Sequence, residues 1–241
     1  MTTDARYAIY FAPSVDTPIW EFGSAVLGYD AASGQELTGF APDGIEPEHW
    51  RQLTTRPRTY GFHATLKAPF YLARSNDAEL QAAITAFAKT HTAFRLGPMA
   101  VKSLCDPGLS QGFVALTPTD PPHDLSVLER DIVIHFDRFR EAISDADRQR
   151  QLSERLTDRQ RHYLETYGYP FVLDEYRFHM TLTGMIDNAA SVADSLADDM
   201  ANRIGTVDLH VDALCLFRQR TRSEHFTIIS RHLLGTKETL S

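Results

Sequence analysis

The chain contains one seven-residue pattern twice. Residues 60–66 read Y-G-F-H-A-T-L, and residues 176–182 read Y-R-F-H-M-T-L, so five of the seven positions are identical. In each copy apolar residues alternate with polar ones, which is the period of a half-buried β-strand. The pattern therefore predicts two matched strands. Each turns its apolar side chains to a core and presents one imidazole and one hydroxyl on the opposite side.

The repeated histidines, His63 and His179, are the primary candidates for catalysis. Histidine changes charge near pH 6.5, so a pair can hold one neutral base and one charged acid at neutral pH. Thr65 and Thr181 follow two residues later on the same strand side, about 7 Å along the backbone. At that spacing the histidine and the threonine of one copy can touch the same phosphate. A single His-x-Thr sequence carries little information, but two copies with matching flanks predict a two-fold acid–base site.

The same alternation predicts further members of the site. Lys67 and Arg177 share the parity of the histidines, and a cation beside a phosphate would offset the charge that develops on its oxygens. Tyr60 and Tyr176 have the parity of the apolar side and are predicted to pack rather than to stack on a base. Arg150 belongs to a group of arginines interleaved with acids, which predicts a solvated helical surface.

The two His-x-Thr-hydrophobic tetrads resemble the two-histidine (2H) phosphoesterase superfamily, which includes RNA ligase-like cyclic phosphodiesterases. The strings H-A-T-L-K-A-P-F at 63–70, G-Y-P-F-V at 168–172 and F-H-M-T-L-T-G at 178–184 are similar to one branch, named after phosphonate-utilisation operons. The resemblance implies two similar lobes related by a pseudo-two-fold axis, with one motif strand from each lining a cleft. It also implies that the motif hydroxyls bind phosphate.

The order of predicted elements mixes strands and helices with short connections, which favours an α+β fold. The resemblance implies that these elements form two pseudo-symmetric lobes around a central cleft, each an antiparallel sheet with helices outside. Residues 1–241 are interpreted as one bilobed domain. The strongest loop signal, T-P-T-D-P-P-H-D at 117–124, predicts the junction between the lobes.

Composition limits the choice of partner and compartment. The net charge is −8, with 32 acidic and 24 basic residues, whereas proteins that grip long polynucleotides usually carry a basic face. A small phosphorylated substrate or a nucleic-acid end fits better. No apolar run is long enough for a membrane span. The start of the chain lacks a signal-peptide layout, and Cys105 and Cys215 are expected to be reduced core residues, so a cytoplasmic location is predicted.

These observations together predict a metal-independent phosphoesterase that hydrolyses a cyclic phosphodiester. The sequence has no metal-binding or nucleotide-loop motif, so no metal or cofactor is expected. The candidate substrates are 2′,3′-cyclic nucleotides, RNA ends and sugar cyclic phosphates, and the branch implies a role in phosphonate metabolism. Two alternatives stay open: a non-catalytic phosphate- or nucleotide-binding module, and a ligase-like reverse reaction. The sequence does not distinguish which histidine is the base.

Overall fold

The computed structural model describes residues 5–73, 76–105, 111–152 and 156–236. The strands are β1 (Arg6–Phe11), β2 (Tyr29–Asp30), β3 (Gln35–Glu36), β4 (Ala64–Tyr71), β5 (Phe94–Cys105), β6 (Gly112–Pro118), β7 (Met180–Thr181), β8 (Asp208–Val211), β9 (Ala213–Gln219) and β10 (Thr227–Leu233). The helices are α1 (Pro18–Leu27), α2 (Pro47–Leu53), α3 (Thr55–Arg58), α4 (Asp77–Ala88), α5 (His123–Phe136), α6 (Asp145–Leu152), α7 (Asp158–Tyr167) and α8 (Ala189–Ile204).

Within the described ranges, eight strands form one antiparallel sheet in the order β10-β9-β1-β4-β7-β6-β5-β8. The two motif strands, β4 and β7, are neighbours at its centre. Each leads outward through three further strands, by β1, β9 and β10 on one side and by β6, β5 and β8 on the other. The predicted α+β class is therefore confirmed, with two four-stranded halves that meet at the duplicated motif.

Helices cover the sheet on the outside of each half. Helix α4 packs on β9 and β10, α5 packs on β4, and α8 packs on β5 and β6. The connection at residues 119–122 lies within the segment 117–124, where we predict the junction between lobes, and leads from β6 in one half to α5 on the other. That junction, and the single bilobed domain, remain predictions.

Local sequence signals set the helix ends. Helix α4 begins with a capping box in which Asn76 accepts from the backbone of Glu79. Helix α7 begins in the same way, with Thr157 capping the backbone of Gln160. Helix α1 ends at Gly28, which adopts the left-handed conformation with φ of 72°.

The motif strands begin later than the alternation predicts. Strand β4 begins at Ala64, after the left-handed turn at Gly61 with φ of 75°. Strand β7 has only two residues, and a 3₁₀ turn at Leu173–Glu175 precedes it. Both histidines therefore lie at strand entries, where the incoming chain determines the direction of the ring.

The two cysteines differ in their environment. Cys215 is buried in β9 as predicted, but Cys105 is exposed at the end of β5, so the prediction that both lie in the core is wrong for Cys105. No helix in the described ranges has the length and apolar character needed to cross a membrane.

Candidate active site

A cavity of about 1140 Å³ lies over the central strands of the sheet. Its lining includes all four residues of the two His-x-Thr pairs, namely His63, Thr65, His179 and Thr181. Residues that are 116 positions apart in sequence thus share one solvent-accessible space.

The register of the central strands explains why the four side chains converge. Ala64 of β4 pairs with Met180 of β7 in an antiparallel ladder. One step to either side of this pair, antiparallel register sets His63 opposite Thr181 and Thr65 opposite His179. Each histidine therefore faces the threonine of the other copy. A phosphate above this point can touch both copies of the motif.

The ring of His63 is held from two directions. Its Nδ1 lies 2.9 Å from the carbonyl oxygen of Gly61, and its ring stacks on Tyr10 with centroids 3.7 Å apart and 19° between the planes. A carbonyl can only accept, so Nδ1 carries a hydrogen and Nε2 is left as the acceptor. The Thr65 hydroxyl lies 3.4 Å from that Nε2.

His179 is held by the equivalent bond. Its Nδ1 lies 2.8 Å from the carbonyl oxygen of Arg177, again two residues earlier in the chain. The nearest ring is Phe113, with centroids 5.5 Å apart and 60° between the planes. Nδ1 of His179 therefore also carries a hydrogen, and Nε2 is again the acceptor nitrogen.

Burial lowers the pKa of both imidazoles. The pKa of His63 falls to about 4, because burial disfavours the charged ring and the nearby His179 adds repulsion, which together outweigh the bond to Gly61. Burial also lowers the pKa of His179, against the opposing effect of its bond to the Arg177 carbonyl. The electrostatic environment is therefore unequal at two positions with the same hydrogen-bond geometry.

The apolar side of each motif forms the support that the alternation predicts. Phe62, Leu66, Phe178 and Leu182 are all buried. Helix α1 packs closely on the first of them, since a Cβ built on Gly23 would lie 2.4 Å from the Phe62 ring. The two histidines are therefore supported by a tightly packed layer of buried apolar side chains.

Lys67 does not reach the cavity, which corrects the prediction from alternation. Its side chain is 4 % exposed, and its ammonium donates to the carbonyl of Val133 at 3.2 Å and lies 3.5 Å from Asp137. Strand β4 has a bulge: Tyr10 pairs with Thr65 and Ile9 with Lys67, which leaves Leu66 as the extra residue. A bulge reverses the alternation beyond it, so Lys67 turns to the buried side with α5.

Arg177 is exposed and also does not line the cavity. Its guanidinium donates to the carbonyls of Asp174 and Tyr176, at 3.2 and 2.7 Å. The residue precedes the two-residue strand β7, so the alternation of a strand does not extend to it. The predicted cations beside the phosphate are therefore absent from the described cavity wall at both motif positions.

Cations of the cavity wall come instead from elsewhere in the chain. The described lining contains five arginines and two acids: Arg6, Arg56, Arg140, Arg150 and Arg222, with Glu141 and Asp147. Arg150 is thus a cavity residue as well as a member of the charged helix α6. These arginines lie on five different segments, so no local sequence pattern could have grouped them. Among the described residues, no three His, Cys, Asp or Glu side chains form a metal-binding group.

Comparisons with known proteins place the chain in a family. A family described as "Protein of unknown function (DUF1045)" matches residues 65–227, which is more than half of the chain. The chain belongs to this family. It is also 33 % identical over 220 residues to a protein of Janthinobacterium sp. (strain Marseille) named ribose 1,5-bisphosphate phosphokinase PhnN, covering 89 % of this chain and 47 % of that protein. The chain spans about half the length of the curated relatives it matches.

Solved structures with some likeness include one described as a phosphoesterase and one of E. coli LigT complexed with ATP. Their identities are 13 and 12 % and their TM-scores 0.40 and 0.41. They cover 95 and 98 % of this chain, and 98 and 99 % of their own chains. A structural likeness of this degree does not establish a shared function. The resemblance to the two-histidine phosphoesterase superfamily rests on the two motifs, which the structure sets on neighbouring strands.

Proposed function

We propose that the protein is a metal-independent phosphoesterase that hydrolyses a cyclic phosphodiester. The observation that carries the proposal is the matched pair of imidazoles on adjacent strands. Each has Nδ1 bound to a backbone carbonyl and Nε2 as the acceptor nitrogen, and both line one cavity with two threonine hydroxyls. This arrangement suits proton transfer at two ends of one phosphate.

The reaction needs one base and one acid. The base accepts a proton at Nε2 from a water molecule as the water oxygen bonds to phosphorus. The ester bond on the opposite side of phosphorus breaks, and the acid donates its Nε2 proton to the leaving oxygen. The product is a phosphomonoester with a free hydroxyl, and solvent restores both protonation states. Thr65 and Thr181 donate to the non-bridging oxygens, where negative charge increases in the transition state.

His63 is the better candidate for the base. Its pKa is held at about 4, so its ring is neutral and able to accept a proton at physiological pH. The close stacking of Tyr10 also keeps Nε2 in a fixed direction. His179 is then the acid. Its pKa is also below the ordinary value, so an anionic substrate must favour its charged form on binding.

The substrate class follows from the size and charge of the site. A cavity of about 1140 Å³ accepts a nucleotide, an RNA end or a phosphorylated sugar, and its arginines favour anions. The relative named as a ribose 1,5-bisphosphate phosphokinase favours a cyclic phosphate of ribose among these. The resemblance to the phosphonate-operon branch adds phosphonate metabolism as the proposed setting.

A screen of cyclic phosphates tests the proposal. Purified protein would be incubated with 2′,3′-cyclic nucleotides and with ribose cyclic phosphates, in the presence and absence of EDTA, and followed by ³¹P NMR. Conversion of at least one compound to a phosphomonoester in EDTA is expected. Activity that disappears with EDTA and returns with zinc or manganese would contradict the metal-free mechanism.

The same screen separates the alternatives. Binding of a cyclic phosphate without turnover over many hours would favour a phosphate-binding module. Formation of a cyclic or ligated product from a phosphomonoester, with no hydrolysis in the other direction, would favour the ligase-like reaction.

A further inference from the structure

Arg6 differs from three other arginines of the cavity wall, because no described carboxylate balances its charge. Arg140 pairs with Asp137, and Arg150 and Arg222 both pair with Asp147. The partner of Arg6 is the neutral Gln219, whose side-chain oxygen accepts from both Nε and Nη2 of the guanidinium, the former at 2.8 Å. No carboxylate among the described residues pairs with Arg6.

The guanidinium of Arg6 is also held rigidly. Gln219 is 1 % exposed and is fixed by its own bond to the carbonyl of Glu224. Arg6 and Gln219 are cross-strand partners of β1 and β9, and the guanidinium lies over the Phe226 ring at 5.3 Å. With Nε and Nη2 engaged, Nη1 keeps two N–H donors with no partner in the described part of the chain. A rigid guanidinium of this kind loses little entropy when it binds an anion.

The position of Arg6 connects it with the candidate catalytic site. The Phe226 ring beneath its guanidinium lies 6.3 Å from the Tyr10 ring, which in turn stacks on His63 at 3.7 Å. Arg6 lies close enough to Tyr10 to oppose the burial-driven rise in the pKa of that phenol. Arg6 and His63 line the same cavity.

We infer that Arg6, held by Gln219 and Phe226, is the centre of a second anion-binding site that recognises a phosphate ester other than the one beside His63 and His179. The inference rests on the proposed function and adds a substrate class, namely a ribose cyclic phosphate that carries a second phosphate group. A guanidinium with free N–H donors binds phosphate oxygens strongly, which suits this class over an uncharged sugar.

Equilibrium binding tests the site without any turnover. Calorimetry would compare adenosine 3′-monophosphate with adenosine 3′,5′-bisphosphate, which differ only by the second phosphate. The native protein is expected to bind the bisphosphate roughly 10- to 100-fold more tightly, the range for a charge-assisted hydrogen bond. Arg6→Gln is expected to remove that preference and to leave the affinity for the monophosphate unchanged.

Gln219→Glu provides a second test that keeps Arg6 in place. The new carboxylate loses the bond to the Glu224 carbonyl, but it would pair with Nε and Nη2 of Arg6, neutralise the guanidinium and reduce the preference for the bisphosphate. The control is Arg95→Gln, because Arg95 pairs with Asp208 on β8, outside the cavity lining. This variant is expected to keep the native preference.

Three results would overturn the inference. The first is that the native protein shows no preference for the bisphosphate, which includes failure to bind either ligand. The second is a preference that survives in both Arg6→Gln and Gln219→Glu. The third is an equal loss of affinity for both ligands with a lower melting temperature, which would indicate that Arg6 has a purely structural role. Failure of the proposed hydrolysis is a separate result. It would appear in the turnover screen and would leave the ratio of the two affinities interpretable.

Discussion

His63 and His179 each donate from Nδ1 to the carbonyl oxygen of the residue two positions earlier, Gly61 in one case and Arg177 in the other. The bond fixes the tautomer of each ring and leaves Nε2 as the reactive atom. It arises at the same place in each copy of the duplicated pattern, just before a central strand. The repeated sequence therefore gives both histidines the same hydrogen bond and the same tautomer, while the surroundings of the two rings differ.

The unequal surroundings predict an acidic pH optimum. A base must be neutral, so activity rises as pH increases through the pKa of His63, which is about 4. An acid must be protonated, so activity falls as pH increases through the pKa of His179, which lies below 6.5. We expect a bell-shaped dependence of kcat/KM with its maximum between these values. A rate that still rises above about pH 8 would contradict the assignment.

The two motif threonines are expected to contribute to catalysis in the same way, each by one hydrogen bond to the phosphate. Thr65→Ala and Thr181→Ala should each lower kcat/KM by about 2- to 100-fold, which corresponds to about 0.5–3 kcal/mol for a hydrogen bond to a neutral or charged group. Thr65→Ser and Thr181→Ser are matched controls that keep the hydroxyl and should retain most activity. If serine loses as much as alanine, the hydroxyls do not bind the phosphate.

The packing beneath His63 predicts that Gly23 does not tolerate a larger side chain. Gly23→Ala places a methyl group 2.4 Å from the Phe62 ring, which must move. Overpacking of this kind costs about 1–3 kcal/mol in the free energy of unfolding, and activity should fall because His63 follows Phe62 directly. Urea denaturation measures the cost. The double variant Gly23→Ala/Phe62→Leu should recover part of it, and no recovery would show that the two residues do not compete for space.

A buried carboxyl in α5 predicts a pH-dependent stability. Burial raises the pKa of Glu129 to about 8, although the Leu173 backbone N–H and Lys67 both oppose the rise. The folded state then binds more protons than the unfolded state between pH 4.5 and about 8, so this group's contribution to stability is present at low pH and declines as pH increases through that window.

Glu129→Gln keeps an acceptor for the Leu173 N–H and removes the titration. The unfolding free energy of native protein relative to this variant should therefore decrease from pH 5 to pH 7.5, as measured by urea denaturation at both values. A relative stability that stays constant over this range would show that Glu129 is already ionised in the folded state and would contradict the raised pKa.

The sequence is sufficient to predict the site where the signal is local. Alternation and duplication indicate His63, Thr65, His179 and Thr181, and the structure brings all four to one cavity. The α+β class and the capping residue Thr157 are also local signals.

The remaining features depend on register and tertiary contact. Lys67 has the right parity in sequence, but the bulge at Leu66 exists only because of the way β4 pairs with β1. Arg6 and Gln219 are 213 residues apart and meet only when β1 joins β9. Such pairs depend on the order of strands in the sheet. Neither the secondary-structure propensity of the residues nor their spacing in the sequence specifies that order.

The most direct measurement of the central claim is the rate of hydrolysis of the best substrate by His63→Ala and His179→Ala. Each role contributes roughly 10²–10⁴-fold, so each variant should lose at least about 100-fold in kcat while its circular dichroism spectrum and melting temperature stay close to native values. A folded variant of either histidine that retains near-native kcat would contradict the paired acid–base account.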